Sequence, residues 1–359
     1  MSLLNHLPSY IGWKDLNRHY LGFTRNYLKE IRMRQLLITL FIFLLSHVVY
    51  CAPVFEIIPL GVYGGLKDGN LSAYLLKTIE SENYMALDGG TLVHGLEVAI
   101  NRQFVGSKNI EDLLQRHIPA YLISHAHLDH LMGLVMAQPE LRAQQTIMAR
   151  EETMQALQKN IFNWSVWGNF GDKGEIPHLN YQHYQTMPLL QWIDIPNTDL
   201  HVKTFPLSHG GMASSAFLIR YKTEYLLYFG DTGADSIEKS TNMQNIWKEI
   251  APLIRNKRLH AIMLECSFLN SQPDDKLFGH LKPSLFMFEL RQLASIVDPL
   301  DLRNSLRGLP VVVTHIKPRL ADLSNSKDDS RKQVINELSQ ENDIGVELIK
   351  PEQGIMLSL

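Results

Sequence analysis

With 359 residues, 45% of them hydrophobic and 20% charged, the chain has an ordinary globular composition and length for one large core or two smaller ones, which excludes disorder as the default. A formal net charge of −3 supplies no general attraction to phosphate backbones and counts against a nucleic-acid partner. Only Cys51 and Cys266 are present, so no disulfide framework is available in any compartment.

The first 52 residues differ from the rest. Lys29, Arg32 and Arg34 precede an apolar run over 36–45, and Val49 and Cys51 then place a β-branched and a small side chain where a signal peptidase inspects them. This is the pattern of a signal peptide and predicts an exported protein. A membrane span needs roughly 20 apolar residues, and Ser46 and His47 interrupt this run well short of that. An uncleaved N-terminal membrane anchor is the alternative; after cleavage no stable span is expected. Residues 1–32 are unusual ahead of such a segment, and Met33 is where a signal peptide would naturally begin. Cleavage after Cys51 would leave Cys266 as the single cysteine, expected to pack as a small apolar side chain.

From Val54 onward, short apolar runs ending in turn residues or histidines alternate with amphipathic stretches. In chain order, strands are predicted over 54–60, 72–77 and 84–87, helices over 92–101 and 110–116, and a strand over 120–124. Helices follow over 130–137 and 151–159, then strands over 200–205, 215–221 and 225–229. A helix over 243–254, a strand over 261–264, a helix over 283–297, a strand over 311–314 and a helix over 327–338 complete the series. Strands followed by helices in successive units predict one layered α/β domain over 53–359, with no linker or repeat. The irregular part is 160–200, where Phe162, Trp164, Trp167 and Phe170 are interleaved with Asn163, Gly168, Asn169 and Gly171. That mixture predicts a long aromatic-rich insertion or lid, because long structured loops are usually functional.

The densest chemistry lies in Tyr121-Leu-Ile-Ser-His125-Ala-His127-Leu-Asp129-His130-Leu-Met-Gly133. A buried strand runs into a polar turn with three imidazoles and a carboxylate, and a helix starts directly behind it. Burying so many ionisable groups costs several kcal/mol per unpaired charge, so they are solvated, mutually paired or bound to metal. Neutral imidazole and carboxylate oxygen are ligand types for Zn²⁺ and related ions. His125 and His127 alternate as at a strand end; Asp129 and His130, across the turn, are placed to face a second ion. Downstream, His209 in Pro206-Leu-Ser-His209-Gly, Asp231 in Leu227-Tyr-Phe-Gly-Asp231-Thr and His315 in Val311-Val-Val-Thr-His315 follow strands. Each of these alone reads equally well as structural.

The cluster resembles the His-x-His-x-Asp-His signature of the metallo-β-lactamase superfamily. The resemblance implies a four-layer αββα sandwich, two mixed sheets flanked by helices. It also implies two divalent ions, zinc by preference with manganese or iron as alternatives. In that pattern His125, His127 and His209 would hold one ion, Asp129, His130 and His315 the other, and Asp231 would bridge them. Asp88, in Ala86-Leu-Asp88-Gly-Gly90, matches an acid that orients a ligand without touching metal.

Two ions suit a phosphate ester, since metals about 3.5 to 4 Å apart lower the pKa of a shared water toward 7 and clamp the non-bridging oxygens. A proton must also reach the departing oxygen. His280, in Phe278-Gly-His280-Leu-Lys-Pro283, is the candidate for that step, with Glu265, in Met263-Leu-Glu265-Cys-Ser-Phe268, to orient it or shuttle a proton. The alternative reading makes Glu265 a surface acid and His280 a helix N-terminal residue.

Within the superfamily, the chain is most similar to the class II 3′,5′-cyclic nucleotide phosphodiesterases. The likeness rests on Gly61-Val-Tyr-Gly-Gly-Leu-Lys-Asp-Gly69-Asn70-Leu-Ser72, His125-Ala-His-Leu-Asp-His-Leu-Met-Gly133, Glu265-Cys-Ser-Phe, Gly279-His280-Leu-Lys-Pro283 and Thr314-His315-Ile-Lys-Pro318, spread over most of 54–357. It implies hydrolysis of cyclic AMP or cyclic GMP to the 5′-monophosphate by a metal-bridging hydroxide, with a small-molecule substrate and no nucleic acid. Exported bacterial members agree with the leader and place the enzyme in the periplasm. A homodimer is one assembly open to it. The glycine-rich loop, with Asn70 and Ser72, reads as a phosphate cradle or as a plain turn. The aromatic side chains at 164, 167 and 170 read as a purine stack or as packing under a lid. The chief rival is a tRNA 3′-processing endonuclease, which shares the cluster but carries a basic arm not evident here. A thioesterase or lactonase of the same fold is a third enzymatic option, and a metal-binding protein without turnover a fourth reading.

Overall fold

The computed structural model describes residues 53–106, 109–324 and 329–359, together with Arg34. The expected leader over 36–51 lies outside the described residues. Among those that are described, no helix is long and apolar enough to cross a membrane. Residues 53–359 form one compact unit.

Among the described residues, fourteen strands build two sheets of seven. In chain order they are β1 (Phe55–Gly61), β2 (Ala73–Thr78), β3 (Met85–Leu87), β4 (Ala120–Leu122), β5 (Gln145–Arg150), β6 (Gln182–Met187) and β7 (Trp192–Asp194). They continue with β8 (His201–His209), β9 (Met212–Tyr221), β10 (Glu224–Phe229), β11 (Leu259–Glu265), β12 (Pro310–Thr314), β13 (Glu347–Ile349) and β14 (Leu357–Ser358). The first sheet runs β14-β1-β2-β3-β4-β5-β6 and the second β13-β12-β11-β10-β9-β8-β7. Both mix parallel and antiparallel neighbours.

Period-two alternation within single strands assigns each side chain to a layer. In β1, Phe55 and Ile57 enter the core between the sheets, while Ile58 and Leu60 face the helices outside the first sheet. In β10, Leu226 and Tyr228 face inward and Leu227 and Phe229 face the helices outside the second. Such strands are covered on both faces and read as continuous apolar runs, which is why they were predictable. Helices Val93–Asn101, Leu128–Ala137 and Glu151–Asn160 pack on the first sheet, and Asn242–Arg255, Pro283–Val297 and Ser330–Glu341 on the second. Met243, Ile246, Trp247, Ile250 and Ala251 are buried at the i, i+3, i+4, i+7, i+8 spacing of one helical stripe. Trp247 is wholly buried and meets the Phe229 ring at 5.4 Å. Burying each large apolar side chain contributes about 1.5–3 kcal/mol. The architecture is the expected four-layer αββα sandwich.

Two expectations shift. The helix expected over 110–116 is a short α-turn, Ile110–Asp112, that widens into a π-turn, Leu113–His117. Residues 160–200 are irregular only in their first half: β6 and β7 lie in the second and form the terminal strands of the two sheets. The aromatic side chains separate accordingly. Phe162 is buried under the first sheet and stacks on Tyr184 at 5.9 Å, and Trp167 packs against the same cluster. Trp164 is exposed, with its indole N–H donating to the carbonyl of Pro177. Apolar side chains this close to a sheet gain more from its core than from forming a lid.

Candidate metal centre

Strand direction brings the candidate residues together. β3 runs parallel to β4, and β10, β11 and β12 run parallel to one another. β8 shares the direction of β10 because each is antiparallel to β9. Side chains just past the C-terminal ends of these strands therefore gather at one rim. Asp88 follows β3, and the turn bearing His125 follows β4. His209 closes β8, Asp231 lies past β10, Glu265 closes β11 and His315 follows β12. Asp129 and His130 occupy the first turn of helix Leu128–Ala137, and His280 comes from the loop before helix Pro283–Val297. Asp88 and His315 have φ of 58° and 55°, a left-handed conformation that costs of order 1 kcal/mol for a non-glycine residue and is retained chiefly at functional sites.

All ten candidate residues meet at this rim. His125, His127, His209 and Asp231 form one group able to hold a metal ion, Asp129, His130 and His315 a second, and Asp231, His280 and His315 a third that overlaps both. Asp231 Oδ2 lies 3.6 Å from His125 Nε2, 3.8 Å from His209 Nε2 and 3.3 Å from His315 Nε2, while Oδ1 lies 3.2 Å from His130 Nε2. His315 Nε2 is 3.1 Å from Asp129 Oδ2.

The imidazoles present bare nitrogens to the cluster because fixed partners hold their other side. His130 Nδ1 donates to Asp88 Oδ2 at 2.8 Å and His209 Nδ1 to the carbonyl of Gly279 at 2.7 Å. His125 Nδ1 lies 3.0 Å from Ser124 Oγ, which itself donates to Asp88, and His315 Nδ1 lies 3.0 Å from Ser267 Oγ, which donates to Glu265. Each leaves Nε2 inward. His127 is reversed: Nδ1 faces His125 and His209 at 3.1 and 3.2 Å. Oriented imidazoles backed by carboxylates or carbonyls are what metal ligation requires. A second observation fits the same group. His130 Nε2 and both Asp231 oxygens are buried with no hydrogen-bond partner, although they stand within salt-bridge range. Polar atoms that converge without pairing are costly unless a cation joins them.

Electrostatics agree. Burial pulls His125 and His127 below the ordinary histidine range and His209 down to about 4, so all three are neutral donors at pH 7. Burial would also depress His130, but the Asp231 and Asp88 carboxylates outweigh it and hold that residue well above its usual range; a metal ion would displace the proton. Burial would raise Asp231 and Asp129, yet neighbouring imidazolium charge holds Asp231 well below the carboxylate range, and the His315 hydrogen bond together with His130 does the same for Asp129. Glu265 is pushed up to about 7 by burial and then by Asp231.

Several supporting groups escaped the motif reading. Asp88 accepts from Ser124 N at 2.7 Å and from the Tyr228 hydroxyl at 2.6 Å as well as from His130. Tyr228 carried no polar signal in its apolar run. Asp88→Asn replaces one of these acceptors by a donor. Metal affinity, read by competitive chelator titration, should fall about 10- to 100-fold. The glycine-rich loop has a structural task. A Cβ on Gly64 would stand 2.3 Å from the His315 ring, and Gly65 N donates to Asp129 Oδ2 at 2.8 Å. Asn70 Oδ1 accepts from Val62 N at 2.9 Å, so the asparagine closes its own loop. Ser72 is buried and its carbonyl accepts from Gly90 N. His280 Nδ1 donates to Glu265 Oε1 at 2.7 Å, and Nε2 accepts from Lys317 Nζ at 2.8 Å. Both Glu265 and His280 are buried in the rim, which removes the surface-acid alternative.

The sequence model of the family described as cAMP phosphodiesterases class-II matches residues 55–354. The chain belongs to this class-II phosphodiesterase family. A relative named 3′,5′-cyclic-nucleotide phosphodiesterase, from Aliivibrio fischeri, is 37% identical over 310 residues, covering 84% of this chain and 91% of its own. Among solved structures, unliganded yeast PDE1 aligns with a TM-score of 0.75 at 23% identity over 86% of this chain and 100% of that one. The metallo-β-lactamase fold protein YhfI from Bacillus subtilis aligns at 0.54 and 15% identity over 84% of this chain and 99% of that one. The phosphodiesterase family and the metallo-β-lactamase fold are thus reached independently. A divalent metal suits the His/Asp cluster that this member of the family carries at its rim.

Proposed function

We propose that this chain hydrolyses 3′,5′-cyclic nucleotides, cyclic AMP first and cyclic GMP alongside it, to nucleoside 5′-monophosphates. The observation that carries the reading is the sharing of Asp231 between ligand groups whose buried nitrogens and oxygens converge unpaired. In this reading His125, His127 and His209 hold one ion, Asp129, His130 and His315 the other, and Asp231 joins the two sets. Zinc is the ion the imidazole-rich donors favour, with manganese and iron accepting the same set. A divalent pair bound there would acidify a shared water toward pH 7 and neutralise the phosphate oxygens.

The chain's own residues do the rest. Asp88 and Ser124 fix the His130 and His125 rings, and Ser267 fixes His315. Glu265 Oε1 holds the proton on His280 Nδ1, which leaves Nε2 as the atom from which a proton passes to the departing 3′ oxygen. Because burial draws His280 down to about 4, the free ring is neutral at pH 7. It must gain that proton at Nε2 during turnover, and the balance closes because the water consumed in hydrolysis releases one proton for the one the departing oxygen takes up. The export pattern over 33–51 supports a periplasmic enzyme; a mature N-terminus past residue 50 in secreted material would bear this out.

Purified protein should be analysed for bound metal and assayed on cyclic AMP, cyclic GMP, bis-phenyl phosphate and precursor tRNA side by side. Cyclic AMP is expected to be hydrolysed fastest. Preference for precursor tRNA would overturn the substrate assignment.

A further inference from the structure

We infer that Lys317 is an additional substrate-binding residue, gripping the non-bridging oxygens of the phosphodiester; the inference rests on the phosphodiesterase reading above. Lys317 lies two positions past His315, and its backbone N–H donates to the carbonyl of Ser267 at 3.0 Å. This tether joins it to the same serine that contacts Glu265, His280 and His315. Its side chain is half-buried. Nζ stands 2.8 Å from His280 Nε2 and 5.7 Å from the centre of the Phe268 ring.

An ammonium has three N–H donors and no acceptor. One is spent on His280. Among the described residues no carboxylate pairs with Nζ, since Glu265 is engaged by Ser267 and His280, and Asp129 by Gly65 and His315. Among the described residues, three of the four other half-buried lysines find acids, Lys350 being the exception: Lys77 meets Glu56 at 2.8 Å, Lys203 meets Glu249 at 2.7 Å and Lys282 meets Asp274 at 2.6 Å. Lys317 departs from that habit beside the metal-ligand cluster, where positive charge is least welcome unless an anion arrives.

Space beyond the ammonium suits an organic phosphate better than a bare ion. A cavity of about 180 Å³ is lined by Phe268, Leu269, Gln272, Lys317 and Pro318, among others. Lys317 thus borders both the ligand cluster, through His280, and a hollow walled by apolar side chains, serines, the Gln272 amide and Arg319. A phosphodiester at the cluster with its nucleoside toward the hollow crosses this ammonium. Two unspent donors then face the phosphate, and lysine serves as the point charge that complements an anion with no geometric demand. No bond is made or broken by Lys317 in this role.

The test compares full-length wild type with Lys317→Met, Lys317→Gln and Lys317→Arg. Metal content is measured first, then the kinetics on cyclic AMP, then calorimetric binding of inorganic phosphate. The Met and Gln variants should keep their metal, raise KM and weaken phosphate binding by between about tenfold and about a hundredfold, the worth of a charged hydrogen bond. Lys317→Arg should recover most of that loss. The Gln variant preserves a polar head, so the comparison stands even if Met disturbs folding. A strut that merely steadies His280 would lower kcat and leave phosphate binding untouched. That result, or an Arg variant as weak as Met, overturns the proposal. Phosphate binding needs no turnover: a wild type inert on cyclic AMP would remove the phosphodiesterase reading, while the calorimetry would still decide the case of Lys317.

Discussion

Asp231→Asn should lower kcat/KM on cyclic AMP by on the order of 10³ and leave less than a full complement of metal. The substitution keeps the shape of the side chain and removes the charge that two of the three ligand groups share. Asp231 Oδ1 and Oδ2 together stand within 3.8 Å of five imidazole nitrogens. An amide would turn an N–H toward at least one of them and repel a cation there. If the ion pair supplies about 4 kcal/mol of charge stabilisation to the reaction, its loss corresponds to roughly three decades in rate. Atomic absorption and steady-state kinetics on the same preparation check both halves. Full metal content with near-normal turnover would show that Asp231 is not the shared ligand.

A different signature is expected of His280→Ala. Turnover should fall by on the order of 10² while metal content stays intact, because the residue is assigned to proton transfer. The structure adds a complication. His280 contacts the Asp231 carboxylate at 3.7 Å and belongs to one of the groups able to hold an ion. A ligand role would instead deplete metal along with activity. His280→Gln separates the two further, since an amide can still pair with Glu265 and Lys317 but cannot relay a proton. An unchanged rate in either variant would take His280 out of the chemistry.

Legibility followed burial pattern and motif density. Strands β10, β11 and β12 were readable because both faces are covered and their sequences are unbroken apolar runs. β5 and β6 were not, because Gln145, Thr146, Arg150 and Gln182 are polar yet buried there. Gln145 and Gln182 each give their amide to a backbone carbonyl of the 114–141 region, of Leu114 and Leu141 respectively, a contact no local pattern announces. At the rim, the turn from His125 to His130 was legible on its own, since so many ionisable groups have few structural uses at that spacing. His209, Asp231 and His315 acquired meaning only in order, through the family resemblance. Ser267, Tyr228 and Lys317 stood inside the quoted motif stretches without drawing a role, because a serine, a strand tyrosine and a lone lysine are commonplace until parallel strands bring them to one edge. The same holds for Gly64, whose missing side chain is needed only once His315 lies against it.

The ligands are divided between the two halves of the sandwich. The first sheet and its helices bring His125, His127, Asp129 and His130, the second His209, Asp231 and His315, and the contact between Asp129 and His315 spans 186 positions of sequence. Neither half alone can complete a coordination shell. A cation would therefore behave as a rivet through the sandwich, favouring the joined halves over the separated ones by about 2.7 kcal/mol at a hundredfold excess over its Kd. Stripping it with a chelator should lower the melting temperature of the entire domain, not only silence the rim. Metal supply then sets how long each molecule endures as well as how fast it works.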